Sequence, residues 1–331
     1  MIPDVLILSR RDIAALMRPR DYLEAVEAGF LAAATGRADT PAPMHMTAEG
    51  GAFHAKGSAL AGDDAIVALK LNGNFPGNPQ ARGLPTIQGA ILLCDAETGS
   101  LLAVMDSIEI TLRRTAAASA LAARLFASPD AHTLTICGCG DQGRAHAEAM
   151  SQVREFTCGF AWDSDRDKAE RFAKEMSAAL GFEFSAVDDL ASAARASDVI
   201  ATCTTARTSF LGPDDVSPGA FVAAVGADNP DKTEIAPALM AKARIVADVA
   251  GQCAQMGDLR AAVAAGVMAP DGIYAELGEV LAGKAKGRVS EEDIYIFDST
   301  GAAFQDAASA RIAYRRAMET GAGLRLNLAG L

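Results

Sequence analysis

Hydrophobic and polar positions follow one rhythm in the last two thirds of the chain. From about residue 133 onward, short unbroken apolar runs take turns with helix-like stretches. Strands of a parallel sheet that is covered on both faces have such unbroken runs. The repeated strand–helix order therefore predicts a doubly wound α/β domain. Six strands are predicted in it: LTICG (134–138), FTCGFAW (156–162), DVIATCT (198–204), AFVAAVG (220–226), ARIVADV (243–249) and IYIFDS (294–299).

The start of the chain has a different pattern, typical of a short strand followed by two helices. Ser9 and Asp12 have the spacing of a capping box at the first helix. Pro19 is suited to the first turn of the second helix, and Gly36 to its end. These signals place the first helical layer before residue 37.

Between residues 41 and 106, Pro and Gly separate runs that are apolar or alternate, which favours a mixed or antiparallel sheet. The stretch GAILLCDAETGSLLAVMD (89–106) predicts a hairpin whose turn is DAETG. An alanine-rich helix is predicted after SIEITLRR, from about 114 to 127, and AAFQDAASARIAYRRAM predicts a terminal helix beyond the second sheet.

The stretch ICGCGDQG (136–143) reads G-x-G-x-x-G at Gly138, Gly140 and Gly143. It follows a predicted strand and opens a predicted helix, where glycines allow a tight turn and the helix N-terminus offers N–H groups to a pyrophosphate. Asp163 ends the next strand, where a carboxylate binds the ribose hydroxyls of a dinucleotide. The motif predicts a dinucleotide site, and a structural glycine turn is the alternative.

The same residues bear on the choice of cofactor. A carboxylate at Asp163 repels a 2′-phosphate and favours NAD, while the nearby Arg166 leaves NADP open. Thr204 and Thr205 follow the third strand, at the edge where doubly wound sheets bind ligands. They are candidates to line the cofactor, and ordinary strand-end threonines are an equal alternative.

Composition excludes some classes of partner. The formal net charge of −12 and the pI near 4.8 argue against nucleic acid and anionic membranes, which select basic surfaces. The chain has no apolar segment long enough for a bilayer, and its first residues lack the charge order of a signal peptide, so a cytoplasmic location is expected.

The six cysteines are expected to be reduced, buried side chains. No metal site is predicted; His45 and His54 are a weak pair for one.

Seven stretches together resemble the ornithine cyclodeaminase/mu-crystallin family along nearly the whole chain: LKLNGNFPGNP (69–79), LPTIQGAILLCDAETGSLLAVMD (84–106), TLRRTAAASALAAR (111–124), CGCGDQGRAH (137–146), VGADNPDKTEI (225–235), ELGEVLAG (276–283) and IFDSTGAAFQD (296–306). The resemblance implies a homodimer of two-domain subunits. Residues 1–118 with 304–331 would form a mixed α+β domain for substrate binding and dimerisation. Residues 119–303 would form the Rossmann-type NAD(P)-binding domain.

The resemblance also assigns roles to single residues. Lys70 and Arg114 match the family's grip on the substrate carboxylate, and Asp228 matches the residue that faces the reacting nitrogen. The local sequence around these residues supports the assigned roles in part. Lys70 interrupts an apolar strand, and a buried lysine needs a partner. Arg114 lies at a predicted helix start, where a cation opposes the helix dipole, although a surface charge is the alternative. Asp228 precedes Asn-Pro and is equally suited to a plain turn.

The pattern departs from the family between residues 40 and 57. Pro43 stands where family members often carry an arginine, and FHAKGS brings His54 and Lys56 into a stretch that is usually apolar. Lys56 is a candidate replacement for the missing carboxylate contact, and His54 a candidate for the substrate pocket. The family pattern adds a substrate contact and further cofactor contacts: Thr86 for the substrate, and Asp141, Gln142, Thr115 and Val225 for the cofactor.

These features predict NAD(P)H-dependent reduction of a small imino acid or cyclic ketimine, or the reverse dehydrogenation of an amino acid. Cyclodeamination of ornithine to proline with catalytic NAD is the first alternative. A cofactor-bound ligand-binding protein of the mu-crystallin type is the second. Mu-crystallin lacks the aspartate that matches Asp228, so its presence favours an enzyme.

Overall fold

The structure, a computed structural model, describes residues 4–328. Its first part contains β1 (Val5–Leu8), α1 (Arg10–Leu16), α2 (Pro19–Ala34), β2 (Ala38–Asp39), β3 (Met44–Ala48), β4 (Gly51–Leu60), β5 (Ile66–Asn74), α3 (Asn78–Arg82), β6 (Ile87–Asp95), β7 (Leu101–Asp106) and α4 (Ser107–Phe126). The second part contains β8 (Thr133–Cys137), α5 (Asp141–Met150), β9 (Cys158–Trp162), α6 (Arg166–Leu180), β10 (Glu183–Ala186), α7 (Leu190–Arg195), β11 (Val199–Thr202), β12 (Phe221–Ala224), α8 (Pro237–Lys242), β13 (Arg244–Ala247), α9 (Ala250–Met256), α10 (Asp258–Ala264), β14 (Ala275–Glu276), α11 (Leu277–Leu281) and β15 (Tyr295–Asp298). The last elements are α12 (Ala303–Thr320) and β16 (Leu324–Leu326).

The chain divides into two compact units. One unit runs to Arg114 and resumes at Ala302, and we call it the mixed-sheet unit. The other spans Thr115–Gly301, and we call it the parallel-sheet unit. Each unit contains one eight-stranded sheet, so the predicted combination of a doubly wound domain with a mixed α+β domain is confirmed.

The parallel-sheet unit has the strand order β10-β9-β8-β11-β12-β15-β13-β14, and its strand pairs are parallel. All residues of β11, β12 and β15 are buried, which explains their unbroken apolar sequences. The six predicted strands are present. The short strands β10 and β14 were not predicted, because EFSA and AE have no apolar run of their own.

The mixed-sheet unit has the order β16-β1-β7-β6-β5-β4-β2, with β3 paired to β4. The predicted hairpin is β6–β7, and its turn is closed by Asp95, whose carboxylate accepts hydrogen bonds from the Glu97 and Thr98 amides. Helix α12 packs on β4 and β5, and also on α2. The terminal helix therefore covers the mixed sheet.

The first helices begin and end where the sequence predicted. Ser9 and Asp12 form the capping box of α1. Pro19 occupies the first turn of α2. Gly36 has φ = 71°, a conformation that favours glycine, directly after that helix.

The prediction for the helix around Arg114 was wrong at its start. Helix α4 begins at Ser107, not near residue 114. The Asp106 carboxylate accepts the N–H groups of Ile108 and Glu109, which starts the helix despite the low helix propensity of the β-branched residues in SIEIT. Arg114 thus lies inside the helix and is only 5% exposed, so it is not a surface charge at a helix start.

The cysteines form no disulfide among the described residues, and the possible metal ligands there form no cluster. All six cysteines are free thiols, and Cys137, Cys139 and Cys253 are buried. Within residues 4–328, no three His, Cys, Asp or Glu side chains are grouped so that they could hold a metal ion. Across the same described range, no helix combines the length and the apolar character that crossing a membrane requires.

Candidate functional site

The glycine loop between β8 and α5 has two glycines that the chain's own packing requires. Gly138 has φ = 98°, and a Cβ there would lie 2.7 Å from the carbonyl oxygen of Cys203. A Cβ on Gly143 would lie 2.2 Å from the Gly138 carbonyl oxygen. A Cβ on Gly140, in contrast, would meet nothing within 4 Å. Packing does not explain the middle glycine, whereas the close approach of a pyrophosphate does.

The helix that follows the loop is open at its N-terminus. Helix α5 starts at Asp141 and has no side-chain cap on its first turn. The Asp141 side chain is 89% exposed and lies 3.7 Å from Arg144. Among the described residues, the buried Oε1 of Gln142 has no hydrogen-bond partner. The N–H groups of a first turn without a side-chain cap fit the pyrophosphate of a dinucleotide held against this turn.

Asp163 follows β9 and faces the glycine loop. Its carboxylate accepts hydrogen bonds from the Cys139 amide at 2.9 Å and from the Asp165 amide at 3.0 Å. Arg166 is engaged by two acidic side chains, Glu170 at 2.9 Å and Asp188 at 2.8 Å. The carboxylate is therefore fixed beside the loop, while the nearby arginine is held by other partners.

Glu234 is a buried residue that the sequence analysis did not identify. Its carboxylate accepts hydrogen bonds from Thr202 Oγ1 at 2.6 Å, from the Thr204 amide at 2.6 Å and from the Gly226 amide at 2.7 Å. Burial, with a contribution from the Asp258 carboxylate, raises the pKa of Glu234 to about 7. Glu234 thereby joins the segments that follow β11 and β12. The only sequence signal that could have identified Glu234 was its place as a carboxylate shortly before the apolar helix α8.

The other predicted cofactor residues lie in the parallel-sheet unit but differ in exposure. Val225 and Thr115 are buried, whereas Thr205 is exposed. The amide of Val225 donates to the Thr202 carbonyl at 3.0 Å. The Thr204 hydroxyl accepts the Ala206 amide at 3.1 Å, which is a local turn contact. Their contact with a cofactor stays a prediction.

Asp228 lies on the loop after β12, also in the parallel-sheet unit. Its side chain is 55% exposed and forms an ion pair with Lys232 at 2.8 Å. The side-chain amide of Asn229 donates to the same carboxylate oxygen at 3.1 Å. The ammonium group of Lys232 therefore neutralises the carboxylate of Asp228. The sequence analysis did not identify Lys232.

Lys70 and Arg114 converge on one buried carboxylate in the mixed-sheet unit. Lys70 Nζ lies 2.7 Å from Asp306, and Arg114 Nε lies 2.9 Å from it. Arg114 Nη1 also donates to Gln305 at 2.9 Å, and Lys70 Nζ donates to Thr111 at 3.1 Å. The three charged residues are at most 5% exposed. Asp306, on α12, was missed because its position reads as one more polar residue of an amphipathic helix.

Burial dominates the electrostatics of this cluster. It lowers the pKa of Lys70 to about 7, since the attraction of Asp306 only partly offsets burial and the repulsion of Arg114 and Lys56. Burial alone would raise the pKa of Asp306, yet Arg114 and Lys70 hold it below its ordinary value. The cluster therefore contains a firmly ionised carboxylate and an amine that changes charge near neutral pH.

The strand register brings Lys56 directly opposite Lys70, and His54 opposite Asn72, on β4 and β5. His54 also pairs with His45 on β3, where the two Nδ1 atoms are 3.3 Å apart. Directly opposed residues of antiparallel strands point to the same face. The structure thus places His54 and Lys56 on the face of the sheet that carries Lys70.

Thr86, the other predicted substrate residue, is half-buried, and its carbonyl accepts the Phe75 amide at 2.8 Å.

Comparison with known proteins gives the family. The model of the ornithine cyclodeaminase/mu-crystallin family matches residues 4–321. A structure of an archaeal alanine dehydrogenase dimer with bound NAD has a TM-score of 0.94 and 34% identity, covering 98% of this chain and 99% of that one.

Two further solved structures are similar over their whole length. The Δ1-pyrroline-2-carboxylate reductase of Thermococcus litoralis, in complex with NADH and L-proline, has a TM-score of 0.93 and 33% identity, covering 97% of this chain and 99% of that one. The iminosuccinate reductase of Paracoccus denitrificans, in complex with NAD⁺, has a TM-score of 0.92 and 31% identity, covering 98% and 100%. Cyclodeaminases are also among the solved relatives. The predicted family and the predicted class of cofactor are confirmed by these relatives.

Proposed function

Because the chain belongs to the ornithine cyclodeaminase/mu-crystallin family, we propose that it is an NAD(P)H-dependent oxidoreductase that reduces a small imino acid or cyclic ketimine at Cα, or runs the reverse dehydrogenation. The observation that carries the proposal is the buried cluster of Lys70, Arg114 and Asp306. Two cations share one carboxylate, which leaves one positive charge for the carboxylate of a substrate. Burying an uncompensated charge is costly unless a ligand completes the site.

The residues have complementary tasks in this proposal. Arg114 uses Nε and Nη1 within the cluster, so the remaining N–H groups of its guanidinium can donate to a substrate carboxylate together with Lys70. Asp228 is assigned to the substrate nitrogen, where its carboxylate stabilises an iminium and passes a proton. The nicotinamide cofactor, when bound, supplies the hydride.

We propose NAD as the preferred cofactor. Asp163 is held beside the glycine loop by the amides of Cys139 and Asp165, and its negative charge opposes a 2′-phosphate. Arg166, the cation that favoured NADP in the sequence, is paired with Glu170 and Asp188. Both observations support NADH over NADPH.

The first prediction is consumption of NADH in the presence of imino acids. The purified protein is mixed with NADH and a panel of imines that begins with Δ1-pyrroline-2-carboxylate, and absorbance at about 340 nm is followed. We expect rapid loss of NADH and slower loss of NADPH, because of Asp163. Conversion of ornithine to proline and ammonia without net redox change would instead favour the cyclodeaminase. Binding of NADH without turnover of any imine or of ornithine would favour a ligand-binding protein.

We further propose that the protein is a homodimer. One face of the mixed sheet exposes Phe53, Val67, Leu69, Leu71 and Leu92, each between 37% and 44% exposed. Their register, with Leu69 opposite Leu92 and Phe53 opposite Gly73, makes them one contiguous patch. Monomers rarely expose such patches. The partners proposed are thus a second copy and a small imino or amino acid, and the cytoplasmic location stays a prediction.

The dimer predicts a mass twice that of the 34.2 kDa chain in light scattering. Leu69→Asp places a charge in the centre of the patch and should convert the protein to monomers. Val267→Asp is the matched control, since Val267 is 47% exposed but lies in the parallel-sheet unit. A monomeric wild-type protein would contradict the proposal.

Glu234→Gln tests the buried carboxylate behind the proposed cofactor site. An amide offers one acceptor oxygen to the three donors that Glu234 now satisfies, so the Thr204 or Gly226 amide loses its partner. We expect the Kd of NADH to rise about tenfold. Wild-type affinity should also fall as pH drops below about 7, because protonation removes acceptor capacity from Glu234. Thr202→Val, which removes one donor only, should raise the Kd less; both values are measured by titrating the protein with NADH and following NADH fluorescence.

A further inference from the structure

Three arginines of the mixed-sheet unit lie beside the turn that joins β4 to β5. Arg311 and Arg315 are four residues apart on α12, so they lie on one side of that helix. Arg315 forms an ion pair with Asp64 in the turn. Arg37 is attached to the same turn, because its carbonyl accepts the amide of Ala61 at 2.9 Å. We call Arg37, Arg311 and Arg315 the arginine cluster.

The guanidinium of Arg311 has no partner in the described part of the chain. Within residues 4–328 it forms no hydrogen bond or ion pair, and its Nε atom is shielded from solvent as well. Arg316, on the same helix, has the usual arrangement, since its guanidinium donates to the Asp21 carboxylate at 2.6 Å and to the Leu16 carbonyl at 3.1 Å. A half-buried cation without an acceptor is costly. An acceptor from outside the chain would remove part of this cost.

The charges around Arg311 do not balance. Burial lowers the pKa of Arg311, and repulsion by Arg315 and Arg37 lowers it further, while attraction by Asp64 opposes the shift. Three guanidinium groups and the one carboxylate of Asp64 leave a net charge of two positive units. The whole chain has a net charge of −12, so this local excess runs against the overall composition. An anion with two negative charges would neutralise it.

We propose that the arginine cluster binds a phosphate group, carried either by inorganic phosphate or by a small phosphorylated metabolite. Guanidinium groups donate pairs of parallel N–H bonds to phosphate oxygens, and arginine clusters are a recurring way to recognise phosphate. Arg37 and Arg315 are exposed and Arg311 is partly exposed, so an anion can reach the cluster. The cluster shares no residue with the glycine loop or with the group of Lys70, Arg114 and Asp306. The inference is therefore independent of imine reduction.

The test measures thermal unfolding with inorganic phosphate and with sodium chloride at equal ionic strength. NAD⁺ is present throughout, so that phosphate does not bind at the glycine loop. With phosphate at about ten times its Kd, we expect the Tm of the wild-type protein to rise by about 3–6 °C. Phosphate also stabilises proteins without a site, because it is excluded from their surfaces. The decisive quantity is therefore the difference in shift between the wild type and the variants.

Arg311→Met removes the charge and keeps an apolar side chain that can pack on the helix. In sodium chloride its Tm should be at least that of the wild type, because the guanidinium it removes has no partner. In phosphate it should lose most of the wild-type shift. Arg37→Met changes an exposed residue and should reduce the shift as well. Arg20→Met is the matched control: Arg20 is 81% exposed and paired with Glu24, so its shift should equal that of the wild type.

Equal phosphate shifts in the wild type, Arg311→Met and Arg37→Met would overturn the proposal, since the anion would then act elsewhere or on the whole surface. If Arg311→Met does not fold, Arg37→Met decides: a reduced shift supports the site, and a full shift refutes it. Glycerol 3-phosphate, used in a parallel series, distinguishes the two sources. A larger shift than with inorganic phosphate would identify a phosphorylated metabolite as the ligand, and an equal or smaller shift would identify free phosphate.

Discussion

Asp306→Asn is expected to destabilise the mixed-sheet unit by about 3–5 kcal/mol, since removal of one partner from a buried ion pair leaves uncompensated charge. Lys70 and Arg114 both lose their carboxylate, and the two cations then repel each other at positions that are at most 5% exposed. Hydrogen exchange should report the loss directly. Peptides that cover β5 and α12 should lose protection, while the fluorescence of the single tryptophan, Trp162 in the parallel-sheet unit, should change less.

Asp64→Asn is the matched control for this variant. Asp64 forms an ion pair with Arg315, also on α12, but the two side chains are 66% and 45% exposed. Exposed ion pairs contribute about 0–1 kcal/mol, so the control should leave exchange nearly unchanged. Similar losses in the two variants would mean that the helix, rather than the buried charge, is sensitive to substitution.

The activity of the enzyme should depend on the charge of Lys70. The pKa of Lys70 is lowered to about 7, so kcat/KM for imine reduction, which reports the free enzyme, should fall as pH rises through 7. Stability should change in the opposite direction. The unfolded chain keeps the proton up to its ordinary pKa of 10.5, so the folded form gains stability between pH 7 and 10.5. Lys70→Met should lower kcat/KM on the order of 10²- to 10³-fold.

Lys70→Arg separates charge from geometry. Arginine stays ionised throughout this pH range, but its planar guanidinium does not reproduce the ammonium contacts with Asp306 and Thr111. We expect lower activity than the wild type, without the decline above pH 7. A variant that retained the wild-type pH profile would assign the titration to another group, of which Glu234 is the nearest in pKa.

The sequence predicted the parallel sheet well because its signal is local. Strands such as β11 and β15 are fully buried, and their unbroken apolar sequences predict this burial without any information from distant residues. Helix α4 was placed too late because its first turn depends on the Asp106 cap and on packing, which override the weak propensity of SIEIT. The local pattern thus predicted which elements form, while the first residue of α4 depended on the hydrogen bonds that the Asp106 side chain accepts.

The candidate site was predicted where a motif lies on one segment. The glycine loop is continuous in sequence, so Gly138, Gly140 and Gly143 could be identified together. Asp306 could not, since it contacts Lys70 and Arg114 across a long stretch of chain. Glu234 was missed for the same reason: a carboxylate does not indicate from its sequence neighbours which distant amides it will accept.

The division into units determines which contacts become available first during synthesis. The parallel-sheet unit is one continuous segment, whereas the mixed-sheet unit is complete only when α12 has been made. Ribosomes add about 5–20 residues per second, so roughly 190 residues and some 10–40 s separate Arg114 from Asp306. During this interval the nascent strands with Lys70 have no carboxylate to accompany the buried amine. The Lys70–Asp306 ion pair of the mixed-sheet unit therefore cannot form until the ribosome has passed the whole parallel-sheet unit.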